Sequence, residues 1–188
     1  MKAAITFIVA GQILLLVYGQ VQTCHGSDMD TIRHLLEEKV EEAFKVLVHP
    51  VITEVNRLNQ TIIIIEKFLE KRKLNNLHPA EQKGKNLIFP NEDSCKNLTD
   101  YLPKAKSIVE NAFYLCSDIG GALSGLIVDG LDCISTIDVI KAIKCLLNEI
   151  NELQDIGQKY EPQVVNTIQN LKVMIVTLYD LFEECIKV

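Results

Sequence analysis

From Val48 onward, hydrophobic residues recur at alternating intervals of three and four: Val48, Val51, Val55, Leu58, Ile62, Ile65 and Leu69. This is the period of a helix that offers one apolar seam to its neighbours. The preceding stretch, residues 28–49, carries Ile32, Leu35, Leu36, Val40, Ala43, Phe44 and Leu47 at similar spacing, with Asp28 or Asp30 placed to cap its start. Pro50 falls between the two segments. It has no N–H and clashes with the preceding turn, so a kink or a break is expected there.

The pattern lapses at about 74–94, where Asn75, Asn76, Pro79, Gly84, Pro90 and Asn91 predict a connection that is long for a compact domain. Helix resumes near Thr99 with Leu102, Ala105, Val109, Ala112, Cys116 and Ile119 on one face, and Gly120-Gly121 is expected to end it. Residues 122–155 read as two further helical pieces. Gly125 and Gly130 weaken the first, and Ser135, Thr136 or Asp138 caps the second. The seam of that second piece is Ile143, Leu146, Ile150 and Leu153, and Gly157 is expected to stop it. Pro162 suits the first turn of a last helix whose seam is Val164, Ile168, Leu171, Ile175, Leu178, Phe182 and Cys185. No segment alternates with period two. The predicted fold is therefore all-α: one domain over residues 20–188, a disulfide-stapled bundle of about five amphipathic helices without a β-sheet.

Composition sharpens this picture. Of 188 residues, 48% are hydrophobic and only 6% aromatic, so the apolar content is aliphatic and far too high for a disordered chain. The formal charge of −6 argues against a nucleic-acid partner, because neutralising phosphates requires a basic face. At the N-terminus, Lys2 precedes an apolar run over residues 3–17, and Val17-Tyr18-Gly19 offers a cleavage site. Residues 1–19 thus read as a signal peptide that is removed, leaving the mature chain slightly more acidic. A bilayer span needs about 20 apolar residues, and Gln12, Gln20 and Gln22 cut this run short. Secretion to the extracellular space is expected, with no stable membrane insertion afterwards. Residues 120–146 are also unsuited to a span, since Asp129, Asp132 and Asp138 interrupt them.

A secretory route gives meaning to six cysteines, Cys24, Cys95, Cys116, Cys133, Cys145 and Cys185, whose even number implies disulfides. It also exposes two sequons to glycosylation, at Asn59 and Asn97. In an antiparallel hairpin, residues at one level lie equally far from the turn. A turn at Gly120 pairs Cys95–Cys145, and a turn near Lys159 pairs Cys133–Cys185, leaving Cys24–Cys116 to hold the N-terminus. The alternative is a local Cys116–Cys133 bridge.

Little else points to chemistry. His25, His34, His49 and His78 are scattered, no cysteine or histidine spacing suits a metal, and no nucleophile, phosphate-loop or dinucleotide motif occurs. The expectation is a protein without cofactor, metal site or catalytic residues, and so not an enzyme. What stands out is aliphatic excess at 62–65, 120–134 and 173–176. Consecutive apolar residues point all round a helix, so these segments are buried on several sides, or line a cavity, or form an exposed patch. The leading expectation is a carrier that holds a small lipid-like ligand between helices, against Leu58, Ile62, Ile65, Leu123, Leu126, Ile127, Leu131, Leu171, Ile175 and Leu178. The alternative is a secreted effector that binds a protein partner, or a second copy of itself, through a helix face.

In format, with a leader, acidic aliphatic helices, six cysteines and sequons, the chain resembles the small secreted helical proteins of arthropod haemolymph, saliva or venom. Insect odorant-binding proteins share that format but set their second and third cysteines, and their last two, close together. Cys95 and Cys116, and Cys145 and Cys185, are far apart here, which separates the chain from that family.

Overall fold

The computed structural model describes residues 27–77, 92–135 and 138–186. All of these except Val48, Ser135 and Asp138 are helical, and no strand occurs among them. The helices are α1 (Ser27–Leu47), α2 (His49–Leu77), α3 (Glu92–Ile134) and α4 (Val139–Ile186). Only Val48 separates α1 from α2. Its N–H donates to the Phe44 carbonyl at 2.9 Å, and its own carbonyl accepts from the Ile52 N–H at 3.0 Å, so the ladder continues through the break. Pro50 has no N–H to donate to the Val46 carbonyl, and the break between the two helices falls two residues before it.

The bundle consequently has three rods rather than about five helices. Gly120-Gly121 and Gly157 were expected to end helices, yet α3 and α4 run through them for 43 and 48 residues. A glycine inside a helix costs about 1 kcal/mol relative to alanine. Burying one aliphatic side chain is worth about 1.5–3 kcal/mol, and Ile119, Leu123 and Leu126 are all buried around the glycine pair. Packing wins. Pro162 lies inside α4 instead of starting a helix, and both it and Pro103 of α3 are on exposed sides of their rods. Of the loop expected at 74–94, residues 74–77 and 92–94 are helical; residues 78–91 and the expected leader lie outside the described residues.

α3 and α4 form an antiparallel hairpin with the most extensive helix contact in the molecule, each rod about 65–72 Å long at 1.5 Å per residue. Asp138 caps α4, its Oδ1 accepting from the N–H groups of Ile140 at 3.1 Å and Lys141 at 3.3 Å. The first rod lies against both helices of the hairpin, parallel to α4. Phe68 meets Phe182 edge-on with ring centroids 5.1 Å apart. Glu66 pairs with Lys106 at 2.7 Å. At the other end, Gly130 of α3 sits against Leu36 and Leu146. The topology is up-down-up around one continuous core.

The disulfides correct the expected pairing. Cys95 bonds Cys185 and Cys133 bonds Cys145, with Cα–Cα separations of 4.6 and 5.6 Å. Cys95–Cys145 and Cys133–Cys185 are not formed, nor is Cys116–Cys133. The equal-distance rule itself holds, but the chain reverses once rather than at Gly120 and again near Lys159. Cys133 and Cys145 are equidistant from Val139, and Cys95 and Cys185 from Ile140, so one register runs the length of the hairpin. Cys24 lies outside the described residues, and with it the Cys24–Cys116 bridge. Cys116 is half-buried and in no disulfide among the described residues; burial pushes its thiol pKa up.

Two tests follow from this packing. Gly130→Ala places a methyl onto the buried Leu36 side chain and is expected to destabilise by roughly 1–3 kcal/mol. Gly125→Ala meets open space and should add up to about 1 kcal/mol; urea unfolding of both variants compares the signs. Removing Cys95–Cys185, which closes a separation of 90 residues, should cost roughly 4–5 kcal/mol, against roughly 3 for Cys133–Cys145 with its 12. Peptide mapping of the unreduced protein checks the pairing directly.

Candidate functional site

The ten residues expected to line a ligand site do not gather in one place. Leu58, Ile62 and Ile65 of α2 lie at the level of Leu171, Ile175 and Leu178 of α4, as the contacts of Phe68 and Glu66 fix the register. All six are buried. Leu123 and Leu126 are buried too, with Ile127 half-covered beside them, but they stand about 25 Å or more along α3 from Lys106, towards the α3–α4 turn. Leu131 is exposed at 39% and stands apart from the core. The other nine belong to, or pack against, the core that joins the three rods.

The consecutive apolar runs divide between inside and outside. Ile62 and Ile65 are buried, whereas Ile63 and Ile64 are exposed at 41% and 57%. Ile175 is buried, Met174 half-buried, and Val173 and Val176 are exposed. Four successive residues sweep most of a helix circumference, and a rod in a three-rod bundle buries only the sector facing its neighbours.

Some of the exposed residues flank one helix–helix contact. Phe68 and Phe182 mark where α2 meets α4. Ile64 lies one turn before Phe68, and Tyr179 and Ile186 lie one turn either side of Phe182, so all three flank this contact; each is exposed. Val165 and Val176 continue the α4 edge, separated from one another and from Tyr179 by intervals of 11 and 3 that keep them on one flank. The sequence pattern marked only the seam. Ile64, Tyr179 and Ile186 fall outside its phase, which was the available signal for a second apolar edge.

α3 contains an 18-residue window of mean hydropathy 1.2, enough by length and composition alone to cross a membrane, and 28% of that window is buried. Both ends of α3 are tied to α4, so any span would draw that charged amphipathic helix in with it.

Three polar side chains are buried in the bundle, and two are satisfied. Glu54 accepts from Arg57 Nη1 with both oxygens at 3.2 Å, and the Thr61 hydroxyl donates to the Arg57 carbonyl at 3.0 Å. Glu149 is the exception: its Oε2 has no hydrogen-bond partner. A carboxylate oxygen of Glu149 and the sulfurs of Cys133 and Cys145 all lie within 4.8 Å of one another, close enough to hold a metal ion. The sulfurs, however, are bonded to each other and supply no thiolate. Burial pushes the Glu149 pKa above the usual carboxylate range, and the charges of Glu152 and Asp129 push it further. The seam read from sequence ran through Ile143, Leu146, Ile150 and Leu153. The buried residues are Ala142, Leu146 and Glu149, so a glutamate in phase with the core was the missed signal.

The sequon residues Asn59 and Asn97 are exposed, both on helices. Comparison with protein-family models, with curated proteins and with solved structures finds no match to this chain.

Glu149 gives a pH test. Its raised pKa means the folded state holds the proton more tightly than the unfolded chain, so stability falls as pH climbs from the unfolded carboxylate pKa through the folded one. In a chelating buffer, Glu149→Gln should therefore melt higher than the wild type at pH 7 and lose this advantage near pH 4. Melting curves across that range measure the crossover.

Proposed function

We propose that the protein is a secreted binding protein that engages a polypeptide partner through the α2–α4 groove, with Ile64, Tyr179 and Ile186 as its anchors. The observation that carries this reading is the exposure of those side chains, on matching flanks of two helices and around one aromatic contact. Scattered exposed hydrophobics are ordinary on a protein surface, whereas a contiguous apolar strip rimmed by polar residues marks an interaction surface. Tyrosine at its centre suits recognition, joining a large apolar area to a hydroxyl. Two disulfides are compatible with an extracellular protein. A glycan at Asn59 leaves the groove clear, because Asn59 lies two turns from Glu66 on the flank of α2 that faces α3.

A second reading is favoured by the placement of the disulfides. Both lie within the α3–α4 hairpin, so among the described residues only packing and side-chain contacts hold the first rod to it. Swinging that rod away uncovers Leu58, Ile62, Ile65, Leu171, Ile175 and Leu178 together, as a carrier of a lipid-like ligand requires. Native mass spectrometry of the protein recovered from secreting cells separates the two. A bound polypeptide, released by Ile64→Glu with Tyr179→Glu at unchanged helix content, is the expected result. A lipid-sized adduct that survives this double substitution, with no polypeptide, would replace the first reading by the second.

A further inference from the structure

A buried carboxyl and a disulfide meet near the turn of the α3–α4 hairpin. A carboxylate oxygen of Glu149 lies within 4.8 Å of both the Cys133 and the Cys145 sulfur. Glu149 is only 9% exposed, and its Oε2 has no hydrogen-bond partner. The two sulfurs differ in access: Cys145 is half-buried, whereas Cys133 is 2% exposed. A thiol reagent that reaches Cys145 therefore makes Cys133 the departing sulfur, in a buried place. Burial raises a thiol's pKa, and a high-pKa thiolate leaves slowly. A proton delivered to Cys133 as the bond breaks removes that handicap. Burial raises the Glu149 pKa, as do the charges of Glu152 on α4 and Asp129 on α3, so Glu149 keeps its proton to higher pH than an ordinary carboxyl. On α1, which packs here through Leu36, Arg33 is engaged with Glu37 and Lys39 with Glu42.

We propose that Cys133–Cys145 is an exchangeable disulfide, opened at Cys145 by small soluble thiols with Glu149 as the proton donor. The incoming thiolate forms a bond to the Cys145 sulfur, and the Cys133–Cys145 bond breaks. Its electron pair leaves on Cys133, which takes the Glu149 proton. The products are a mixed disulfide on Cys145, a neutral Cys133 thiol and a Glu149 carboxylate. In the return step the carboxylate takes the Cys133 proton back, and the Cys133 thiolate expels the small thiol from Cys145. Electrons pass only between sulfurs, so no outside oxidant is consumed. The oxygen–sulfur distance is that of the closed bridge, and such contacts commonly tighten as a reaction proceeds. Cys95–Cys185 lacks this arrangement, since both its cysteines are buried. Exchange thus frees the turn end of the hairpin while Cys95–Cys185 still holds the far end.

The test treats the folded, disulfide-intact protein with reduced glutathione, traps free thiols by alkylation at intervals, and maps both bridges and the adduct by mass spectrometry. Cys133–Cys145 is expected to open first, with glutathione on Cys145 and the trapped thiol on Cys133. Its rate per glutathione thiolate should fall from about pH 5 to about pH 8, as Glu149 gives up its proton. Opening through global unfolding would instead speed up with pH, because stability falls as Glu149 ionises. Glu149→Gln should flatten the profile and slow opening at its acid end by roughly a hundredfold, the lower end of general acid catalysis. The wild-type profile and the adduct map decide the matter even where the variant fails to fold. The proposal is overturned if Cys95–Cys185 opens first, if neither bridge opens, if glutathione is found on Cys133, or if the wild-type rate per thiolate does not fall with pH. It is likewise overturned if Glu149→Gln leaves the rate unchanged or slows both bridges by the same factor.

Discussion

The architecture depends on one constraint, the single register of the α3–α4 hairpin. Two helices of more than forty residues each accumulate error in their relative position unless something fixes it. Here a disulfide stands near each end, and both are centred on the start of α4 to within one residue. That agreement keeps the long shared seam in one register between the two bridges. The first rod then finds a continuous groove in which Leu36, Val55, Leu58 and Ile65 can all be buried at once.

A three-rod bundle also sets the balance between inside and outside. Each rod has two neighbours, so a sector of every helix must face solvent, whatever its sequence. The chain meets this demand with charge along most of its length, including local pairs such as Arg33–Glu37 and Lys45–Glu41 that contribute little stability on so exposed a surface. It departs from this beside the Phe68–Phe182 contact, where Ile64, Tyr179 and Ile186 are exposed. The departure at Glu149 is opposite in kind, a charge-bearing group where the core would accept leucine. Exposed apolar side chains occur elsewhere too, such as Val46, Tyr114 and Ile140, and what sets the first place apart is that its residues flank one aromatic contact between two helices.

How much of this was legible in the sequence depends on which signals are local. Hydrophobic spacing placed the seams of α2 and of the second half of α4 residue by residue, and Pro50 marked the break between α1 and α2 to within two residues. Helix ends were misread where glycine decided them: Gly120, Gly121 and Gly157 are weak breakers, and the burial of Ile119 and Leu123 is a tertiary fact that no window of sequence contains. The disulfide partners were misread for the same reason, since an error in the turn moves every level of a hairpin together. The candidate ligand residues were recognised as apolar and inward-facing, but their separation along the bundle appears only once the Phe68–Phe182 contact fixes how the rods slide against one another.

The two disulfides differ in what covers them. Cys145 is half-buried, whereas Cys95 and Cys185 are enclosed, with the Arg72 guanidinium of the first rod 3.7 Å from the Cys185 sulfur. An oxidant or isomerase must reach a thiol before that thiol is sealed. In the packed bundle Cys145 is thus the one disulfide cysteine within partial reach of a thiol reagent, and the Cys95–Cys185 bridge is offered only when the end of α2 lifts from it.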